Sequence, residues 1–238
     1  MPQDYPTITE AVDAAADGDE ILVGPGTYYD SFDASEKELI FRSSHGPSVT
    51  KVEGRAWLSS NSALIGFRLA PRIFNSGEIV EADGDGITVA GNIFEPTELR
   101  STSFALVAGG GSATISGNHF TGITCNHSLV AAFGGAATLI ENNVFIGNGC
   151  EAVRVDETPN ATVINNTIVD NTGTAIDVAD ATAVVRNNLI AFNGVGIDAR
   201  GTSPTVEHNL VFGNTTDYVD LADQTGLNGN ISADPLLE

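Results

Sequence analysis

Lysine is almost missing from these 238 residues: Lys37 and Lys51 stand alone beside eight arginines. Against these ten cations stand 31 Asp and Glu, for a formal net charge of −21 at pH 7. A surface so poor in positive charge repels phosphate backbones and anionic lipid headgroups, which argues against nucleic-acid partners. It also repels a bare polyanion such as pectate or alginate unless cations bridge the two. There is no run of 18 apolar residues, so no membrane-inserted helix is expected. The first residues lead directly into a structured segment rather than a signal peptide. Aromatics are scarce at 7%, with a single Trp.

What is plentiful is Gly, with 26 copies, together with Ala, Val, Ile, Asn and Thr. That mixture suits short strands and many turns. The chain is 42% hydrophobic, enough to fill one continuous core, and its length fits a single all-β domain over 1–238.

A repeat organises the chain. An apolar residue, any residue, two small or amide residues, any residue and an apolar residue recur in that order as VAGNIF (89–94), ISGNHF (115–120) and IENNVF (140–145). The series continues as VINNTI (163–168), VRNNLI (185–190) and VEHNLV (206–211), with LIGFRL at 64–69 one step earlier. Successive copies start 21 to 26 residues apart. A unit this short cannot bury its apolar side alone and must stack on its neighbours. Period-two alternation, as in Ile176-Asp177-Val178, turns apolar residues inward and polar ones outward. The expectation is a parallel β-helix of about eight to nine coils.

Asn92, Asn118, Asn143, Asn166, Asn188 and Asn209 fall in one row of this repeat. Stacked amides can hydrogen-bond along the axis, and Asn tolerates the left-handed backbone of a sharp corner. A second row follows five residues later at Asn148, Asn171, Asn193 and Asn214. Open solenoid ends need covers. Thr7-Ile8-Thr9-Glu10 is a capping box, and Ile8, Ala11, Val12 and Ala15 share one helical face. Residues 1–20 are therefore expected to be an N-terminal cap helix, 21–215 the coils, and 216–238 a less regular C-terminal segment.

The segment Thr7 to Asp19, followed by Ile21-Leu22-Val23 and Pro25-Gly26-Thr27-Tyr28, resembles the N-terminal cap of right-handed parallel β-helix proteins. The Asn repeats and the Ala233-Asp234-Pro235-Leu236 ending resemble the same pectate-lyase-like superfamily. The resemblance covers nearly the whole chain and implies the right-handed sense. It spans polysaccharide lyases, glycoside hydrolases, esterases, epimerases and non-catalytic carbohydrate-binding or surface modules. The cap is also similar to that of pectin methylesterases, but their catalytic Gln and Asp motifs are not found in the later coils.

When the coils are aligned on the Asn row, Arg154, Asp177 and Asp198 take equivalent outward positions, with Arg200 two residues after Asp198. Adjacent coils lie about 4.8 Å apart, so two carboxylates there would perturb one another and could divide acid and base roles. Arg154 and Arg200 could bind a sugar carboxylate or stabilise a developing anion. The plainer alternative is a surface ladder in which the arginines neutralise the acids. Glu81, Asp83 and Asp85 alternate before Gly86 like the first half of a calcium loop, which makes Ca²⁺ a candidate cofactor. The closing Glu of such a loop is absent.

Cys125 and Cys150 each lie seven residues after a row Asn, so they should meet on adjacent coils as a disulfide or as stacked thiols. A bridge would point to an oxidising compartment. The expected partner is a polysaccharide or cell-surface glycan met at the cell surface or outside the cell. The expected role is lyase or hydrolase, or else a non-catalytic binding or adhesive module.

Overall fold

The computed structural model describes residues 4–70, 77–95, 104–135 and 137–237. The chain winds into three parallel sheets, each of nine strands among the described residues. The first sheet runs from Glu20–Val23 to Thr205–Glu207, the second from Gly26–Tyr28 to Leu210–Phe212. The third runs from Phe32–Ala34 to Thr216–Val219. Every strand pairs with the strand one coil away, so side chains three strands apart in sequence become direct neighbours. Strands are short because each must turn a corner after two to six residues.

The core lies along the axis, where inward residues of successive coils stack on their own kind. Phe94, Phe120 and Phe145 form a column with ring centroids 4.3 and 4.8 Å apart and nearly parallel planes. All three rings are fully buried, and each such burial stabilises the fold by roughly 1.5–3 kcal/mol.

Both Asn rows are ladders, buried except at the half-buried Asn214. The Asn166 side-chain amide donates to Ile140 O, Ile164 O and Asn188 Oδ1, while its Oδ1 accepts from the backbone N–H and Nδ2 of Asn143. The same pattern runs from Phe67 N through Asn92 to Asn209, and Asn230 adds one more rung. The second ladder starts at Ile123 N and passes through Asn148, Asn171 and Asn193 to Asn214.

One expectation about these rows needs correction. The left-handed backbone belongs to the residue before each ladder Asn: Gly91, Gly117, Asn142, Asn165, Asn187 and His208 before the first row, and Gly147, Asp170, Phe192 and Gly213 before the second. The preceding residue takes the strained turn, which frees the ladder Asn to point inward. The two jobs assigned to one Asn are split between neighbours.

The N-terminal end is closed by the helix Ile8–Ala14, with Thr7 as N-cap accepting from Glu10 N. Its last carbonyls are met by Lys37, whose Nζ lies 2.7 Å from Val12 O and 2.9 Å from Ala15 O. One of the two lysines thus caps the helix that caps the solenoid. At the other end the coils run past residue 215. Thr216–Val219 is the last strand of the third sheet, and Ile231 still bridges to Leu210. Among the described residues no helix is long and apolar enough to cross a membrane.

Candidate active site

The outer face of the third sheet carries the candidate site. Arg154, Asp177 and Asp198 are register partners on three adjacent coils, as their spacing predicts. Asp156 pairs with Ala179 on the same strands. Arg200 sits just past the end of Val195–Asp198, in a left-handed conformation with φ 35°. Its backbone N–H donates to Asp198 Oδ1, which holds it beside the face.

Asp177 points outward yet is fully buried, because its neighbours cover it. Arg200 Nε lies 2.7 Å from Asp177 Oδ1, and Arg154 Nη1 lies 3.8 Å from Oδ2. Arg154 is more closely bound to Asp156, with Nη2 2.7 Å from Oδ2. Arg200 Nε is 3.9 Å from Asp198 Oδ2. Neither arginine is aligned to hydrogen-bond Asp177, so as a carboxylate it has two buried oxygens without a donor. A buried ion held by charge alone is costly to keep ionised.

The missing donor is Glu151, which the repeat alignment does not single out. It opens the strand Glu151–Asp156, and its Oε2 accepts from Ser128 Oγ on the previous coil at 3.0 Å. Its Oε1 is buried and has no partner while Glu151 is ionised. Burial first, then the hydrogen bond and charge of Asp177, push the Glu151 carboxyl up to about 8. Asp177 is also raised by its burial, against the opposing pull of Glu151, Arg200 and Arg154. The two acids therefore hold a proton between them at neutral pH, and a protonated Glu151 provides the donor Asp177 lacks.

Glu151 is hidden from a period-two reading because the strand bends at its start. Ala152 and Val153 are both buried, as are Leu129 and Val130 one coil earlier and Ala175 and Ile176 one coil later. The bend returns Glu151 to the outer face out of phase with Arg154. Its one signal in the sequence is Cys150 beside it. Cys150 and Cys125 form a disulfide with Cα atoms 5.5 Å apart, joining the coils that carry Glu151 and Ser128.

Glu81 lies in the same outward row, three coils before Arg154, in register with Val107, Ala131 and then Arg154. Asp83 is exposed at the end of its strand, and Asp85 in the next turn accepts from Ser112 N at 2.9 Å. Among the described residues no three His, Cys, Asp or Glu are grouped to hold a metal ion. The calcium expectation thus rests on the spacing of Glu81, Asp83 and Asp85 alone.

No curated protein matches the chain. Among solved structures it is similar to a PL6 alginate lyase in complex with a trisaccharide, at 14% identity and a TM-score of 0.57. That match covers 97% of this chain and 58% of the lyase, so the chain spans little more than half the length of that relative. A pectin methylesterase mutant in complex with a hexasaccharide is similar at 8% identity and a TM-score of 0.53, over 97% of this chain and 90% of that one. The Dettilon tailspike protein is similar at 11% identity and a TM-score of 0.54, over 88% of this chain and 50% of that one. At such identities the likeness is one of fold. Residues 72–231 match the family described as "Right handed beta helix region", and the chain belongs to that family.

Proposed function

We propose that this protein acts on a polysaccharide or cell-surface glycan outside the cytoplasm, breaking a glycosidic linkage on the outer face of the third sheet. The observation that carries this reading is the Glu151–Asp177 pair, a partly buried and a fully buried acid sharing a proton beside a third acid and two arginines. A carboxyl that keeps its proton to about pH 8 is fitted to protonate a leaving glycosidic oxygen. Asp198, partly exposed on the next coil, is placed to take the proton of an attacking water. Arg154 and Arg200 hold the acids in position through their ion pairs with Asp156 and Asp177. The similar structures in complex with a trisaccharide and a hexasaccharide support the substrate class. The disulfide is consistent with an oxidising compartment. Hydrolysis is favoured over elimination because the net charge of −21 works against a bare polyuronate substrate.

The test is a mass-spectrometric turnover screen on neutral glycans, pectate and alginate, with and without calcium. It compares wild type with Glu151→Gln and with Asp177→Ala/Asp198→Ala. Products that carry added water and vanish in both variants support the reading. Unsaturated product ends identify a lyase instead, and a calcium requirement would direct attention to Glu81, Asp83 and Asp85. Equal turnover in wild type and both variants places the chemistry elsewhere.

One observation favours a second reading, that of a carbohydrate-binding module without turnover. Asp177 is fully covered, and a ligand reaches it only after Arg200 moves aside. Glycan binding with no product from any substrate would select this reading.

A further inference from the structure

The outer face of the third sheet changes character along the axis. Its central row reads Val107, Ala131, Arg154, Asp177, Asp198 across five consecutive coils. On the coils of Val107 and Ala131 the flanking positions hold rings instead of charges. Phe104 is in register with Ser128 and then Glu151, so it sits two coils before the acid pair in the same row. Phe133 is in register with Asp156, one coil away.

The rings of Phe104 and Phe133 meet edge to face, with centroids 5.3 Å apart. His127, exposed, stacks on Phe104 at 5.6 Å. On the other side the Arg154 guanidinium lies 6.0 Å from the centre of the Phe133 ring. A continuous surface thus runs from imidazole through two half-buried phenyl rings to the arginine that binds Asp156 and faces Asp177. Core packing does not explain it, since both rings point away from the core on strands whose inward residues, Leu106, Ala108, Val130 and Ala132, are already buried.

We infer that His127, Phe104 and Phe133 form a sugar-stacking subsite, which holds glycan units on the N-terminal side of the Glu151–Asp177 pair. The occupant is a pyranose chain lying along the solenoid axis. Aromatic faces and edges suit the C–H-bearing face of a pyranose. The charged and hydrogen-bonding groups one coil away suit its hydroxyls. The coil rise of about 4.8 Å is close to the length of one pyranose unit, so successive coils address successive sugars. An aliphatic or lipid occupant would leave Arg154, Asp156 and Glu151 unmatched at the border of the patch. The inference rests on the glycan reading above and adds where affinity resides: on the ring-bearing coils, with the chemistry one to two coils further on.

Isothermal titration separates the two claims. The probes are hexasaccharides of β-1,4-glucose, β-1,4-xylose, β-1,3-glucose and mannuronate, titrated into wild type, Phe104→Ala, Phe133→Ala, Phe133→Trp and Thr162→Ala. Thr162 lies outward on the first sheet and serves as the surface control. The expected result is a roughly tenfold weaker Kd for either alanine variant with whichever hexasaccharide wild type binds. Affinity should be retained in Phe133→Trp, which keeps a ring, and in Thr162→Ala. If either alanine variant melts early, the pair Phe133→Trp and Phe133→Leu tests the ring without emptying the site. Wild-type affinity in Phe104→Ala and Phe133→Ala, or in Phe133→Leu, overturns the subsite and leaves the glycan reading standing. No binding of any hexasaccharide to wild type overturns both.

Discussion

Two sets of polar side chains are buried equally deeply in this solenoid and are treated in opposite ways. The ladder asparagines, from Asn92 to Asn230, use their amides fully in buried surroundings. Asp177, just as buried, has two carboxylate oxygens with no aligned donor and depends on a proton from Glu151. Satisfied buried polar groups add rigidity and register, whereas unsatisfied ones cost stability and are retained where a reactive group is needed. The difference marks which polar cluster holds the fold and which is available for chemistry.

That contrast is tested most directly at a rung. Asn166→Ala removes the acceptor of Asn143 and the donor to Ile140 O. Several buried groups at about 1–3 kcal/mol each should then cost about 4 kcal/mol in all, visible as a lower denaturation midpoint. A result under about 1 kcal/mol would mean that water replaces the rung and the ladder is not structural.

The next largest effect is expected at the disulfide. Cys125→Ser/Cys150→Ser opens a loop spanning a sequence separation of 25, and chain entropy puts the cost at about 3.5 kcal/mol. The same variant should loosen the Ser128–Glu151 contact. Because the Ser128 hydroxyl donates to the Glu151 carboxylate and lowers its proton affinity, that affinity should rise when the contact is lost. An NMR titration of the Glu151 carboxyl checks this.

A pH dependence of stability is expected as well. The folded protein holds the Glu151 proton to about pH 8, whereas an unfolded chain releases it near 4.5. Across that window the folded state binds more protons. The contribution of Glu151 to stability therefore declines as pH rises from about 4.5 to about 8 and is flat above. Glu151→Gln should flatten that slope in a series of urea melts.

The smallest expected change is the stability of Glu151→Gln itself, within about 1 kcal/mol of wild type at pH 5. There the replaced carboxyl is already neutral and an amide can still donate to Asp177. A loss as large as that at Asn166 would make the acid pair a structural feature like the ladder.

Much of this is legible in the sequence because a solenoid turns spacing into contact. The 21–26 residue period alone places Arg154 beside Asp177, Asp177 beside Asp198, and Cys125 against Cys150. Legibility ends where the backbone leaves the period. Glu151 escapes notice because the bend at Ala152–Val153 breaks the alternation that locates outward residues. The burial of Asp177 is equally hidden, because Arg200 folds back over it from beyond the strand end. The left-handed corner reads one residue late, since composition marks both neighbours as amides in the pairs Asn142-Asn143, Asn165-Asn166 and Asn187-Asn188. Phe104 and Phe133 draw no attention because they stand far apart in the sequence, and only the stacking of coils brings their rings together.

The ladder also has a direction. From amide to amide the bonds all run one way: each Asn from Asn92 to Asn209 donates to the Oδ1 of the next coil's Asn, while it also donates to a backbone carbonyl of the previous coil. A single flipped amide would set donor against donor on one side and acceptor against acceptor on the other, so no rung can reverse alone. A coil that slips by one residue would bring the left-handed corner residue to the rung and lose contact with both neighbours. The row thus acts as an error check on winding. It tolerates a coil that lengthens between rungs, as the 21–26 residue spacings show, and rejects one that arrives out of step.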